Sequence, residues 1–266
     1  MKKVGIVGYG YVGKAMYNFF KDNYDVVFYD PNVTGSCNRE EINDCGLALV
    51  CVPTPPDANG YCDTSIVEEC VSWITSDLII IKSTVEVGTT DYLKRTYNNM
   101  GRRIVFSPEY CGESSYWSPY KFHTDVKETP FFIFGGDEED TSLAIDWYIP
   151  VTGPTKVYHQ TKARVAEMAK YMENCFYATK IAFCKEMYSI CEAEEIEWSA
   201  AREAWLLDPR INPMHTAVFK DKRGFSGKCL PKDVSALISM AENKGISPHL
   251  LKGVEKSNEE SKKSSD

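Results

Sequence analysis

The chain has 266 residues, 43% of them hydrophobic and 26% charged, enough apolar content for one full domain with a smaller companion and too much for a disordered chain. Its net charge of −8, without clustered lysine and arginine, argues against nucleic acid or an anionic membrane surface and leaves a small molecule as the expected partner. No apolar run reaches the roughly 20 residues of a membrane span, and the two lysines at the start precede a glycine-interrupted strand rather than a leader, so the sequence reads as cytosolic (cytoplasmic).

In chain order, "KKVGIVGYGYVGKAMYNFF" (2–20) predicts a buried strand, a tight glycine turn, and a helix opening at the third glycine. Further short apolar runs bounded by turn residues follow: "DVVFYD" (25–30), "LALVCVPTP" (47–55), "DLIIIKSTV" (77–85), "RIVFSPEY" (103–110) and "FFIFGG" (131–136). Helical stretches such as "TSIVEECVSWI" (64–74) and "GTTDYLKRTYNNM" (88–100) fall between most of them. Strand and helix in alternation predict an α/β fold, a Rossmann doubly wound parallel sheet over 1–158. After "VTGPTKVYHQ" the pattern changes, since Lys162 to Glu195 lacks proline and glycine and carries apolar residues at helical spacing. One long central helix is expected there, ~50 Å at 1.5 Å per residue, within a helical domain over 159–254. A helix of that length outruns a small core, so part of it is expected to face a second copy, giving a homodimer. "EWSAAREAWLL" (197–207) is a shorter helix, and the polar stretch "EKSNEESKKSSD" (255–266) is expected to be a disordered tail.

Gly8, Gly10 and Gly13, with Tyr9, Tyr11 and Val12 between them, form G-x-G-x-x-G between a strand and a helix, the arrangement that brings backbone and a helix N-terminus against a pyrophosphate. Asp30 closes the second strand 17 residues after Gly13, where a carboxylate meets ribose hydroxyls, and no lysine or arginine follows closely, so the expected cofactor is NAD rather than NADP. The competing reading of Asp30 is a turn-former before Pro31. The ten cysteines contain no Cys-x-x-Cys pair and the four histidines no ligand spacing, so no metal is expected and most of the thiols read as small buried side chains.

Six segments then stand in order: "VPTP" (52–55), "STV" (83–85), "SPEY" (107–110), "AEMAKYMENCFYATKIAFCKE" (166–186), "DPRI" (208–211) and "GFSGKCLPKD" (224–233). Together with the glycine turn they resemble the UDP-glucose/GDP-mannose dehydrogenase family over residues 1 to about 250. The resemblance implies an NAD-dependent four-electron oxidation of a nucleotide-sugar primary alcohol to the acid, through a thiohemiacetal and a thioester on Cys229. It implies that Lys170 stabilises the oxyanion, Asn174 adds a hydrogen bond, Asp233 works with a water as general base, Thr84 holds that water, and Glu109 serves thioester hydrolysis. Thr54, Pro55, Thr84 and Lys232 are then expected on the cofactor side, and Glu109, Lys170, Asn174, Arg210, Phe225 and Gly227 on the substrate side. Read from the residues alone, Lys170 and Asn174 share a face of the long helix, Asp233 could cap its helix, Thr84 could end a strand, and Glu109 could be a solvated loop acid.

The sequence departs from the family in places. Ser226 and Lys228 stand where glycine and serine are usual, Gly112 replaces an arginine, Lys185 an asparagine and Asn212 a glycine. Family members usually continue through a third, nucleotide-binding-like domain, whereas this sequence ends about thirty residues after Asp233, so the nucleotide half of the substrate is expected to lose much of its usual surface. Two other readings stay open: a two-electron β-hydroxyacid-type dehydrogenase, which also pairs such a lysine and asparagine, and a non-catalytic binder of NAD or a nucleotide sugar.

Overall fold

The computed structural model describes residues 2–97, 100–112, 120–219, 224–227 and 229–263. The chain forms two compact units, one of residues up to Pro55 together with Asp63–Lys170, the other of Pro56–Cys62 together with the residues from Tyr171 onward.

In the first unit the strands are β1 (Lys3–Val7), β2 (Asp25–Tyr29), β3 (Leu47–Val50), β4 (Leu78–Ile81), β5 (Ile104–Phe106), β6 (Phe131–Gly135) and β7 (Val157–Thr161). They form one sheet in the order β2-β1-β3-β4-β5-β6-β7. The helices of this unit are α1 (Tyr11–Phe20), α2 (Arg39–Asn43), α3 (Ser65–Trp73), α4 (Thr89–Thr96), α5 (Glu138–Thr152) and the first turns of α6 (Ala163–Ala193). Alternate strand residues feed opposite faces, as the period of two demands. Val4, Ile6, Leu47, Leu49, Leu78 and Ile80 meet Met16, Phe19, Trp147 and Tyr148 on one side. Val7, Ala48, Val50, Ile79 and Ile81 meet Ile42, Val67, Val71 and Leu93 on the other. Burial on both faces is why β3 and β4 are uninterrupted apolar runs.

The sheet is the expected doubly wound one and is mostly parallel, with one antiparallel pair. Strands β1 to β5 are parallel, but β6 runs antiparallel to β5, with Phe106 opposite Gly135, and β7 pairs parallel with β6. A parallel neighbour needs a crossover, usually a helix. The described part of the β5–β6 connection offers only short 3-10 turns at Lys121–His123 and Val126–Glu128. Strand β7 went unforeseen because it is an edge strand with mostly exposed side chains and no alternating apolar pattern; Tyr158 stacks on Phe132 and fixes its register.

The second unit contains the rest of α6, α7 (Trp198–Trp205), α8 (Leu230–Glu242) and α9 (His249–Lys263). Its core is Cys175, Ala178 and Ala182 of α6, Phe225, Val234 and Ile238 of the loop and α8, and Val254 of α9. The stretch from Glu255, expected to be disordered, is helical as far as Lys263, a correction; 264–266 lie outside the described residues. Its buried stripe is Val254, Asn258 and Ser261, at helical spacing but with two polar members, so hydrophobic periodicity could not reveal it. Asn258 Oδ1 accepts the Phe225 N–H at 2.7 Å, which ties α9 to the loop before α8. Among the described residues, no helix is long and apolar enough to cross a membrane.

Candidate functional site

Strand order reverses beside β1, and the glycine turn sits there, at the carboxyl end where open α/β sheets bind ligands. Gly8 has φ +88°, and a side chain there would lie 2.8 Å from the Cys51 carbonyl oxygen; at Gly13 a Cβ would fall 2.0 Å from Gly8 O. A Cβ on Gly10 would meet nothing within 4 Å, so this side of the turn is open for a pyrophosphate at the N-terminus of α1. The Asp30 carboxylate accepts Tyr9 N at 2.8 Å and Asn32 N at 3.0 Å, which makes it both a turn-former and an oriented acceptor with lone pairs left for hydroxyls. Tyr9 stacks on Phe28 at 3.8 Å, Tyr11 donates its hydroxyl proton to Gly112 O, and Val12 packs into the core. These residues fit a dinucleotide.

Next to this cradle, Thr54 Oγ1 donates to Thr84 O at 2.7 Å, tying the loop after β3 to the loop after β4, and Pro55 O accepts Asp63 N. Glu109, two residues past Ser107 at the end of β5, is held in detail. Its carbonyl accepts Lys170 Nζ at 2.7 Å, its Oε1 lies 3.8 Å from the same ammonium, and its Oε2 accepts from both N and Sγ of Cys111 at 2.8 Å. Held in this way, Glu109 is not a solvated loop acid. Burial and the carboxylate beside it push the Cys111 thiol up, leaving it a hydrogen-bond donor.

Three side chains here escaped the sequence reading. Lys82 is buried at the end of β4 and bonds Ser107 Oγ at 3.3 Å and Pro108 O at 3.2 Å; its signal was a charge closing a fully apolar strand. Burial pulls its pKa down to about 8, against the opposing pull of Cys51 and Glu109. Glu167, fully buried, accepts Gly88 N at 2.6 Å and Thr90 N at 2.9 Å, fixing the start of α4; burial raises its pKa. Its place one turn before Tyr171, inside a quoted motif, was the available signal. Cys111 gave none beyond its position after "SPEY".

In the second unit, Cys229 is exposed and immediately precedes α8, with Pro231 in the helix's first turn. Asp233 does not cap α8: its side chain is buried, accepting Asn174 Nδ2 at 2.5 Å and Lys232 Nζ at 2.6 Å. Lys232 also lies 3.7 Å from Cys62 Sγ. Burial opposes the Lys232 charge, but Asp233, Cys62 and Cys229 together outweigh it and hold the ammonium above its ordinary value. The structure thus brings Asn174, Lys232 and Asp233 together at the helix start that Cys229 opens, and pairs Lys232, expected on the cofactor side, with a carboxylate and a thiol.

The remaining expected residues differ. Arg210 is exposed and grips Asp208 through Nε and Nη2 at 2.6–3.1 Å. Phe225, expected at the substrate, has its ring in the core of the second unit and its N–H on Asn258. Gly227 has φ +90° and open space at its Cβ position, so its backbone is accessible. Lys228 lies outside the described residues.

Residues 32–147 match the NAD binding domain of the UDP-glucose/GDP-mannose dehydrogenase family, and residues 164–260 match the central domain of that family. UDP-glucose 6-dehydrogenase of Rickettsia bellii (strain RML369-C) is 30% identical over 231 residues, covering 84% of this chain and 51% of that protein. The chain therefore spans about half the length of that relative. The structure of a UDP-glucose dehydrogenase from the hyperthermophilic archaeon Pyrobaculum islandicum is similar with a TM-score of 0.84 at 25% identity, over 97% of this chain and 68% of that one. A 3-hydroxyisobutyrate dehydrogenase from Mycobacterium tuberculosis shares the fold, with a TM-score of 0.70 at 18% identity over 96% of this chain and 92% of its own.

Proposed function

The chain belongs to the UDP-glucose/GDP-mannose dehydrogenase family, and we propose that it oxidises the primary alcohol of a nucleotide sugar such as UDP-glucose to the carboxylic acid, with Cys229 as covalent nucleophile. The observation that carries this reading is the buried Asn174–Asp233–Lys232 group at the start of α8, directly after an exposed cysteine. Asp233 makes no cap bond on its own helix and is instead buried against Asn174 and Lys232.

Gly8, Gly10, Gly13 and Asp30 hold the cofactor, and bound NAD supplies the hydride acceptor for each oxidation. The Cys229 thiolate, favoured by the N-terminal dipole of α8, adds to the carbonyl carbon of the intermediate aldehyde. The new C–S bond makes a thiohemiacetal, whose oxidation leaves a thioester. Water then adds to the thioester carbon, giving up a proton to Asp233, and the C–S bond breaks to release carboxylate and regenerate the thiolate. Asn174 Nδ2 orients the Asp233 carboxylate, and Lys170 supplies positive charge for the oxyanion. Glu109, aligned by Lys170 and Cys111, serves the hydrolytic step, and Thr84 holds the water.

The chain acts as a homodimer through the apolar stripe of α6, and the cytoplasm is its compartment. A two-electron reaction is the second reading, since a β-hydroxyacid-type dehydrogenase also pairs such a lysine and asparagine as Lys170 and Asn174. Counting NADH per substrate over a panel of UDP- and GDP-sugars separates them. The proposal expects two equivalents in the native protein and at most one in Cys229→Ser, with a Cys229 acyl adduct trapped by mass spectrometry. One equivalent, unaffected by Cys229→Ser, favours the two-electron reading; no turnover on any nucleotide sugar favours a binding protein.

A further inference from the structure

Two lysines grasp successive carbonyls of one turn. Lys82 Nζ bonds Pro108 O at 3.2 Å and Lys170 Nζ bonds Glu109 O at 2.7 Å. Lys82 is 4% exposed and follows a strand whose four residues are all buried, a position where methionine or leucine would pack without an electrostatic cost. Pro108 has no N–H to give, so this turn makes fewer backbone bonds of its own. Ser107 N holds Ile81 O at 2.9 Å, and beyond it the Lys82 ammonium supplies the bonds to Ser107 Oγ and Pro108 O.

We propose that Lys82 is a positioning residue for Glu109: it fixes the Ser107–Pro108 turn that presents Glu109 to Lys170. This rests on the reading of Glu109 as serving thioester hydrolysis. The charged and titratable groups facing Lys82 are Cys51 after β3, Glu109 and Cys111 after β5, and Lys170 on α6. Burial raises the Cys51 thiol to about 12, and the Cys111 thiol is raised as well, so both face Lys82 as thiols.

The test is Lys82→Met in the full chain, with circular dichroism to confirm folding. With nucleotide sugar and NAD, the first-turnover NADH burst is expected within about threefold of native, while steady-state turnover falls about tenfold and the Cys229 acyl adduct accumulates. The ratio kcat/KM for the nucleotide sugar is expected within about threefold of native, so that the loss falls on kcat. Equal loss of burst and steady state, or no change in either, overturns the proposal. Carboxyl-carbon NMR of labelled glutamate, assigned with Glu109→Gln, reads the placement of that side chain without turnover, and its resonance is expected to move in Lys82→Met. An unchanged Glu109 resonance in Lys82→Met rejects the positioning role even if no substrate is found. A moved resonance in a protein that turns over no nucleotide sugar supports that role and rejects the catalytic reading alone. Should Lys82→Met fail to fold, Ser107→Ala, which removes one acceptor of the ammonium, is expected to move the same resonance by a smaller amount, and no movement there overturns the proposal.

Discussion

Asp233 and Lys82 are both buried ionic residues, and their energetics run in opposite directions. Asp233 sits between an amide and an ammonium, so Asp233→Asn leaves Lys232 charged and without its counter-ion. Breaking such a pair costs about 3–5 kcal/mol, and urea unfolding at neutral pH is expected to show a loss of that order. Because the Lys232 pKa is raised, the contribution is in place at neutral pH and is lost as the pH climbs from the ordinary lysine range through the higher folded value. An Asp233→Asn protein as stable as the native one refutes the pairing. Lys82 has its pKa lowered from 10.5 to about 8, so between these values the unfolded chain binds a proton that the folded one does not, and stability rises with pH. Measured against Lys82→Met, native stability is expected to gain about 3 kcal/mol across that window. A flat difference means that the Lys82 ammonium is not held at a cost. Asp233 and Cys229 were legible in the sequence because "GFSGKCLPKD" is contiguous. Lys82 was not, since its burial depends on Ser107 and Pro108, 25 residues and more away, folding over it.

Among the elements, those that hydrophobic pattern alone specifies were the ones read correctly. Strands β3 and β4 are buried on both faces and could only be continuous apolar runs, and the glycine turn announces its own geometry through Gly8 and Gly13. Strand β7, an edge, and α9, whose buried stripe includes Asn258 and Ser261, carry their information in hydrogen bonds and ring contacts that sequence period does not encode. The antiparallel turn at β6 was hidden for a related reason, as strand direction depends on what the connection does and not on the strand's residues. Asn258 makes this testable. Its Oδ1 is the acceptor for Phe225 N, so Asn258→Ala leaves a buried N–H unsatisfied, worth about 1–3 kcal/mol. The expected outcome is a lower Tm together with faster hydrogen exchange at the Phe225 amide. Unchanged protection of that amide means that α9 is not what anchors the loop before α8.

For the molecule as a whole, α6 poses a question that one copy of the chain leaves open. Met172, Phe176, Phe183 and Ile190 lie on it at intervals of four and seven residues, so they share one face, and Met172 and Phe176 are 64% and 63% exposed. Trp205 of α7 touches Phe183, leaving most of the stripe uncovered within the chain. A net charge of −8 opposes self-association at long range, so a dimer must be held by this apolar contact, and raising salt is expected to tighten it by screening the repulsion. In a two-fold dimer each stripe residue is buried twice, at about 1.5–3 kcal/mol per large side chain. Replacing both Met172 and Phe176 by glutamate removes four such side chains from the interface and places like charges opposite each other. Sedimentation equilibrium is expected to find the native chain dimeric at micromolar concentration, with the doubly substituted protein dissociating at concentrations on the order of a thousandfold higher. Because the substituted positions are solvent-facing within one copy, its near-native circular dichroism separates lost association from lost folding. A native chain that sediments as a monomer at every concentration and salt rules out the dimer.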